Sequence, residues 1–272
     1  MIEEYNGNFL DGNNTMYFSI TNSAFQNLAL TSSIPFIRVA GTSLATLYTH
    51  YLTNILFYNV TVKNSLIEME RYQSSILATN LTMENIEKSR TSAETTLDVE
   101  YDDTWYGGIC FLGRNSVSLD LKVSSFKNIS SHCLGLVSSS LKITESIFNN
   151  TGVESLYSQA ESSVTDYTGV SWIIFYGGTQ DVGSGFLIKF DTCQFIGNTF
   201  YPSKGGALRV IGSFPISFQF NNNQWINNGA YYGGAIYIEN ILHTCTFTSE
   251  QFLKNTAVVD GGAIAIDCES NE

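Results

Sequence analysis

The chain has 272 residues, of which 13 are basic, 25 are acidic and only three are proline. The formal net charge of −12 argues against a nucleic-acid partner, because binding a phosphate backbone requires a cationic surface. No apolar stretch reaches the roughly 18 residues of a membrane-spanning helix, and the longest one covers only residues 170–176. The hydrophobic content of 43% is sufficient for a sizeable core, which excludes an ordinary disordered segment.

The first pattern along the chain is a repeat that combines alternating apolar residues with an aromatic residue and an asparagine. Two apolar residues stand two apart, the aromatic residue follows five positions later, and the asparagine comes two or three residues after it. The clear copies are Phe18/Ile20/Phe25/Asn27, Leu119/Leu121/Phe126/Asn128, Leu141/Ile143/Phe148/Asn150, Ile188/Phe190/Phe195/Asn198, Phe218/Phe220/Trp225/Asn228 and Cys245/Phe247/Phe252/Asn255, and two degenerate copies end at Phe57/Asn59 and Met83/Asn85. Eight copies of one pattern indicate a repeat protein.

Two segments lack this pattern, residues 86–106 and 151–170, and both are rich in Ser, Thr, Glu and Asp. We interpret them as insertions, which is where the binding residues of repeat proteins tend to lie. Within the first, alternation would place Asp98, Glu100 and Asp102 on one face of a strand. These carboxylates could bind Ca²⁺, but the segment lacks the glycine and distal glutamate of an EF-hand loop. A solvated strand face is the simpler interpretation.

A second repeat stands between copies of the first and begins with two glycines. Gly-Gly-Ala followed by alternating apolar residues occurs at 205–210, 233–238 and 261–266, at a spacing of 28 residues, and a looser copy lies at 107–112. Alternation with a period of two is typical of a half-buried strand, and a repeat of this length without a helical stretch fits one coil of a β-solenoid. We therefore predict one all-β domain over residues 1–272, a parallel β-helix of about 8 to 10 coils.

Three kinds of repeated side chain are predicted to serve structural roles in this fold. Aromatic residues of successive coils would stack, asparagines would occupy left-handed corners and form an amide ladder, and glycine pairs would allow sharp turns into the next strand. The residues concerned are Phe195, Trp225 and Phe252 in the stack, Asn198, Asn228 and Asn255 at the asparagine corners, and Gly205, Gly206, Gly233, Gly234, Gly261 and Gly262 at the glycine corners.

The combination of Gly-Gly-Ala-Ile with Phe-x-x-Asn resembles the repeats of chlamydial polymorphic outer-membrane proteins. It is also similar to β-helix surface proteins of some protists, within the right-handed, pectin-lyase-like parallel β-helix group. The match is closest over residues 193–268. The resemblance implies a right-handed β-helix that serves as a structural or adhesive module at the cell surface or outside the cell. It further implies glycans or surface proteins as partners, and no cofactor is expected.

The alternative function is that of a polysaccharide lyase or glycoside hydrolase, because enzymes of the group that the chain resembles act on acidic glycans. Glycosidases need two carboxyl groups beside the scissile bond, and lyases of this fold use carboxylate-bound calcium with a basic proton acceptor. Arg209 is the arginine inside a clean repeat, and alternation points it away from the core. With no acidic partner evident at neighbouring repeats, we interpret Arg209 as a solubilising surface charge. The histidines at 50, 132 and 243 lack spaced partners and are interpreted as structural or surface residues.

The five cysteines form no C-x-x-C motif and therefore predict no zinc site. Cys110 and Cys133 stand 23 residues apart, as do Cys245 and Cys268, which is about one coil. Each pair could form a stacked disulfide or remain as buried free thiols. Five Asn-x-Ser/Thr sequons occur, but that number is expected by chance in a chain so rich in these residues.

The last clear strand pattern ends at Ile266, and no atypical capping repeat follows it. A solenoid whose end is open exposes unpaired strand edges. We therefore expect this end to stack on further coils of a longer chain or on another molecule by end-to-end self-association.

Overall fold

The computed structural model describes residues 18–30, 35–39, 48–63, 65–69, 74–89, 109–113, 117–130, 133–137, 139–151, 171–175, 186–212, 216–239 and 245–267. Within these ranges the chain forms β-strands and no helix. It follows that none of the described segments is an apolar helix of membrane-spanning length.

The described residues form 24 strands. They are β1 (Ser19–Leu30), β2 (Ile37–Val39), β3 (Tyr48–Val62), β4 (Ile67–Met69), β5 (Ser74–Lys88), β6 (Phe111–Gly113), β7 (Ser118–Lys122), β8 (Ser125–Ile129), β9 (Leu134–Val137), β10 (Ser140–Thr144), β11 (Ile147–Thr151), β12 (Ser171–Phe175), β13 (Phe186–Asp191), β14 (Gln194–Ile196), β15 (Thr199–Lys204), β16 (Leu208–Gly212), β17 (Ile216–Asn221), β18 (Gln224–Ile226), β19 (Gly229–Tyr232), β20 (Ile236–Glu239), β21 (Cys245–Thr248), β22 (Gln251–Leu253), β23 (Thr256–Asp260) and β24 (Ile264–Asp267).

These strands belong to three sheets, and every strand pair in them is parallel. The first sheet has 13 strands and contains the aromatic repeat, and the second has eight strands in the order β2-β4-β6-β9-β12-β16-β20-β24. The third sheet has three strands, β15-β19-β23, which lie in sequence between the other two sheets. Strands inside each sheet therefore pair with strands from the preceding and following repeats, which confirms the predicted parallel all-β architecture.

The register of the second sheet follows the glycine repeat. Leu208 pairs with Ile236 and Ile236 with Ile264, at the spacing that the sequence repeat predicts. In the first sheet Leu141 pairs with both Leu119 and Ile188. A shift by one residue would turn every core side chain to the opposite face, so the apolar pattern fixes this register.

A column of aromatic rings runs through the core. The rings of Phe148 and Phe195 stack at 5.1 Å, those of Phe195 and Trp225 at 4.2 Å, and those of Trp225 and Phe252 at 5.9 Å. The column extends to Phe126, 4.6 Å from Phe148 and nearly parallel to it. The predicted aromatic stack is confirmed, and each ring pair contributes about 0.5–1.5 kcal/mol beyond its buried area.

The glycine pairs form the turns that lead into β16, β20 and β24. Gly205 has a φ of +73°, which favours glycine. Gly206 is needed for a different reason, because a Cβ there would lie 2.3 Å from the Gly234 carbonyl oxygen of the next repeat. The first glycine thus allows the turn, and the second allows successive repeats to approach closely.

The predicted insertion boundaries differ from the structure at both starting points. Residues 86–88 belong to β5, and Ile86 is fully buried in the core. Thr151 is likewise buried, at the end of β11. Neither segment contains a copy of the aromatic repeat, but the first residues of each segment complete the copy that precedes it. Residues 90–106 and 152–170 lie outside the described ranges.

Candidate functional site

A cluster of charged and tyrosine side chains lies on the outer face of the second sheet, across β16, β20 and β24. Register aligns Arg209 with Tyr237, and Glu239 with Asp267. Successive side chains of a strand point to opposite faces, so Arg209 points outward while its neighbour Leu208 is buried in the core. Consecutive repeats thereby bring basic and acidic groups side by side.

One carboxylate joins the two cations of the cluster. Glu239 Oε2 lies 3.1 Å from Arg209 Nη2 and 3.5 Å from Lys204 Nζ, the latter group coming from the end of β15. The Lys204 ammonium also lies 4.7 Å from the centre of the Tyr237 ring, which attracts a cation through its π-system. The third and second sheets are therefore tied together at this point.

Tyr237 extends the cluster to the next repeat. Its hydroxyl group donates a hydrogen bond to Asp267 Oδ2 at 3.1 Å. Burial, the negative charge of Glu239 and the bond to Asp267 raise the pKa of Tyr237, while Arg209 lowers it by a smaller amount. The phenol therefore stays protonated and acts as a donor at neutral pH.

The structure corrects the sequence interpretation of Arg209. The side chain points outward as predicted, but it is only 2% exposed, since it is ion-paired and covered by its neighbours. The sequence reasoning also missed Glu239 and Asp267 as acidic partners on neighbouring repeats. The sequence signal for these two acids is the 28-residue spacing, which aligns Ile211, Glu239 and Asp267 on three successive strands.

The rim of the cluster is more accessible than its centre. Tyr231 is 37% exposed, and its ring meets that of Tyr232 edge-on at 5.3 Å. Tyr232 in turn lies 6.4 Å from the Tyr237 ring. Tyr232 is aligned with Lys204 of the neighbouring strand, so the two tyrosines and this lysine combine an apolar ring surface with hydrogen-bonding groups, which suits contact with a sugar.

The predicted asparagine corners fall into two different columns. In the first column Asn27, Asn128 and Asn150 have positive φ angles, and Asn150 Nδ2 donates to Asn128 Oδ1 at 2.9 Å. This agrees with the predicted left-handed corner and amide ladder. In the later repeats this position, two residues after the aromatic one, holds Gly197, Asn227 and Lys254 instead.

The second column consists of Asn198, Asn228 and Asn255. The prediction that these three asparagines occupy left-handed corners is wrong, since none of them has a positive φ angle. They lie one residue further on, and Asn198 and Asn228 are fully buried. Asn198 donates its backbone N–H and its Nδ2–H to Asn228 Oδ1, at 3.1 and 2.9 Å. Asn228 Nδ2 donates to Phe195 O and to Asn255 Oδ1, each at 3.0 Å. This buried ladder holds the repeats together, since unsatisfied buried amides are costly.

The cysteines in the described ranges are free thiols. Cys110 and Cys133 lie on neighbouring repeats, where Cys110 N donates to Cys133 O at 3.1 Å. Both are buried, and burial together with the hydrogen bond to Cys110 raises the pKa of Cys133 well above its ordinary value. Cys245 occupies the core position aligned with Phe218, as predicted, and Cys268 lies outside the described ranges.

The weak calcium candidates Asp98, Glu100 and Asp102 also lie outside the described ranges. Inside them, no group of three or more His, Cys, Asp or Glu side chains is arranged to hold a metal ion. His50 is buried, stacks on Phe18 at 4.4 Å and accepts a 3.4 Å hydrogen bond from the Phe18 N–H, as a structural histidine does.

The chain matches no protein-family model, no curated protein and no solved structure.

Proposed function

We propose that the chain is a right-handed parallel β-helix that serves as a structural or adhesive module at the cell surface or outside the cell, without catalytic activity. The parallel pairing of each repeat with the next supports the β-helix. Connections between parallel strands of one sheet are right-handed in about 98% of cases, which supports the handedness. The partners proposed for this module are glycans or other surface proteins.

The observation that carries the non-catalytic proposal is the burial of Arg209 in its ion pair with Glu239. A general acid or base must come within hydrogen-bonding distance of its substrate. Arg209 is 2% exposed and its guanidinium group already binds a carboxylate at 3.1 Å. A side chain held in this way stabilises the stacking of repeats and is poorly placed to receive a proton from a polysaccharide.

The adhesive part of the proposal relies on the rim of the same cluster. Tyr231 offers an exposed ring, while Lys204 and Glu239 offer a partly exposed donor and acceptor. An array of glycans tests this part directly. We expect binding that falls at least tenfold in Tyr231→Ala and is unchanged in Tyr58→Ala, a similarly exposed tyrosine on the first sheet. Equal binding by both variants would remove the rim from the proposal.

A second candidate function, a glycan-active enzyme, is favoured by one specific observation. Arg209 and Lys204 lie beside Glu239, and the next strand aligns a second carboxylate, Asp267, with Glu239; lyases and glycosidases use such combinations of basic and carboxylate groups.

Assay of the purified chain against a panel of polyuronates with calcium decides between the two functions. We expect no turnover above the blank. Turnover that is lost in Arg209→Lys but kept in Lys142→Ala, which breaks an exposed ion pair with Asp120, would establish the enzyme instead. Thermal melting of both variants is the control that they are folded.

A further inference from the structure

Two buried cysteines lie side by side on neighbouring repeats. Cys110 stands directly before β6 and Cys133 directly before β9, and the register pairs the first residues of these strands, Phe111 and Leu134. The backbone N–H groups of Cys110 and Phe111 both donate to Cys133 O, each at 3.1 Å. The two cysteines therefore hold equivalent positions one repeat apart.

The spacing of these two residues fits a disulfide bond. Neighbouring strands of a sheet lie about 4.7–4.9 Å apart, and the Cα atoms of a disulfide lie about 4.4–6.8 Å apart. Both side chains are fully buried in the core, and their thiol groups are hydrogen-bonded to each other. The two sulfur atoms can therefore be joined without a movement of the backbone.

The other two cysteines of the described ranges have different neighbours. Register places Cys245 beside Phe218. In the repeat that follows Cys193, the neighbouring residue is Asn223, whose Oδ1 accepts the Cys193 backbone N–H at 2.8 Å. Among the described cysteines, the pair formed by Cys110 and Cys133 is thus the one placed for a bond between repeats.

Packing alone does not require cysteine at this position. The residues directly before β16 and β20 are Ala207 and Ala235, and both are fully buried. Ala207 N donates to Ala235 O at 2.9 Å, which repeats the bond from Cys110 N to Cys133 O. A small apolar side chain therefore satisfies the position, and the two sulfur atoms add the capacity for a covalent bond.

We propose that Cys110 and Cys133 form a disulfide that locks two neighbouring repeats together when the chain folds with a disulfide oxidant such as oxidised glutathione. One cysteine thiolate attacks the oxidant, releases half of it as a thiol and forms a mixed disulfide, from which the second cysteine displaces the other half. The two cysteines lose two protons and two electrons in total, and the oxidant becomes two thiols. The proposal rests on the proposed location outside the cell, where disulfides form and persist.

Burial determines when this bond forms. The thiolate is the attacking species in disulfide exchange, and burial holds the pKa of the Cys133 thiol well above its ordinary value. Both thiols are enclosed in the folded chain, so exchange must precede the closing of the repeats around them. The same burial shields the finished bond from reductants.

Refolding of the reduced, unfolded chain with and without oxidised glutathione tests the proposal. Free thiols are blocked with iodoacetamide in urea, and the chain is digested with trypsin and analysed by mass spectrometry without reduction. We expect oxidative refolding to link the tryptic peptide of residues 91–114, which contains Cys110, to that of residues 128–142, which contains Cys133. Oxidised glutathione added to the already folded, reduced chain should give at least tenfold less of this product.

The thermal midpoint provides a second readout, because a disulfide stabilises a fold by restricting the unfolded chain. For a loop and a chain of these lengths, we expect the oxidised form to melt about 10 °C above the reduced form. The difference should vanish in Cys110→Ala, a substitution that the alanines of the later repeats show to be compatible with the fold. It should persist in the control variant Cys245→Ala.

The outcomes that would overturn the proposal are distinct. Absence of the linked peptides after oxidative refolding would show that the two thiols do not react with each other. Equal midpoints of the two forms, or a difference that persists in Cys110→Ala, would show that the bond does not lock the repeats. Linked peptides together with an absence of glycan binding would retain the disulfide and remove the adhesive function, so the two proposals fail independently.

Discussion

Replacing Asn228 with alanine tests whether the buried asparagine ladder stabilises the fold. The side chain takes part in four hydrogen bonds: two that it donates, to Phe195 O and Asn255 Oδ1, and two that it accepts from Asn198. The backbone N–H of residue 228 keeps its bond to Asn255 Oδ1 in the variant.

The magnitude follows from these contacts. A hydrogen bond contributes about 1 kcal/mol net, so the loss of four lowers the free energy of unfolding by about 4 kcal/mol. The Asn198 amide groups remain buried without their acceptor, which places the cost at the upper end of the usual range for a point substitution.

The matched control is Asn227→Gly. Asn227 precedes Asn228 directly, but it is exposed and has a φ of 53°, a conformation that glycine adopts freely. Gly197 occupies the equivalent position one repeat earlier. We therefore expect this variant to lie within about 1 kcal/mol of the wild type.

Urea unfolding followed by tryptophan fluorescence and by circular dichroism measures both changes. Hydrogen exchange of the Asn198 amide adds a local readout, since this N–H loses its Asn228 acceptor. A cost of less than 1 kcal/mol for Asn228→Ala, or equal costs for the two variants, would refute the structural role assigned to the ladder.

Three further predictions concern the glycine corners, the aromatic column and the buried thiols. Gly206→Ala should destabilise the chain by about 3 kcal/mol, because its Cβ would lie 2.3 Å from Gly234 O. Gly197→Ala should cost only about 1 kcal/mol, because no atom lies within 4 Å of its Cβ and only its φ of +63° is unfavourable. Thermal melting of the two variants measures this difference in stability. Trp225→Ala should lower the free energy of unfolding in urea titrations by about 3–5 kcal/mol, because it empties a fully buried position between two stacked rings. A loss below about 1 kcal/mol would contradict the stabilising role assigned to the aromatic column. Burial raises the pKa of Cys193 from 9.0 to about 11, so the unfolded chain releases this proton first and stability falls as the pH rises from 9 to 11. That loss is about 2–3 kcal/mol and should be absent in Cys193→Ala, so parallel pH profiles of the two proteins in urea titrations would contradict it.

The sequence alone determined the strands of the clear repeats, together with their parallel pairing and their register. The 28-residue glycine repeat placed Leu208, Ile236 and Ile264 in one column, and the structure pairs them so. Stacked repeats put equivalent residues at equivalent positions, and the two-residue period assigns the core face of each strand. The aromatic column was predictable for the same reason.

The sequence shows that the asparagine follows the aromatic residue by two or three positions, but it does not show that this single-residue difference separates two columns with different surroundings. Asn150 and Asn198 both follow a phenylalanine, yet one occupies a left-handed corner at the surface and the other is buried. The local backbone turns between these two positions, so a shift of one residue moves an amide from solvent into the core. Only the path of the chain at the corner decides which of them it is.

Tertiary structure also decided which side chains make up the charged cluster around Arg209. Alternation determined that Arg209 points outward, but it could not determine what covers an outward side chain. Tyr237 and Glu239 come from the next repeat and Lys204 comes from the third sheet, whose strands the repeat pattern did not define. The sequence determined the direction of each side chain from the strand period, and the stacking of neighbouring repeats decided which of those side chains is buried.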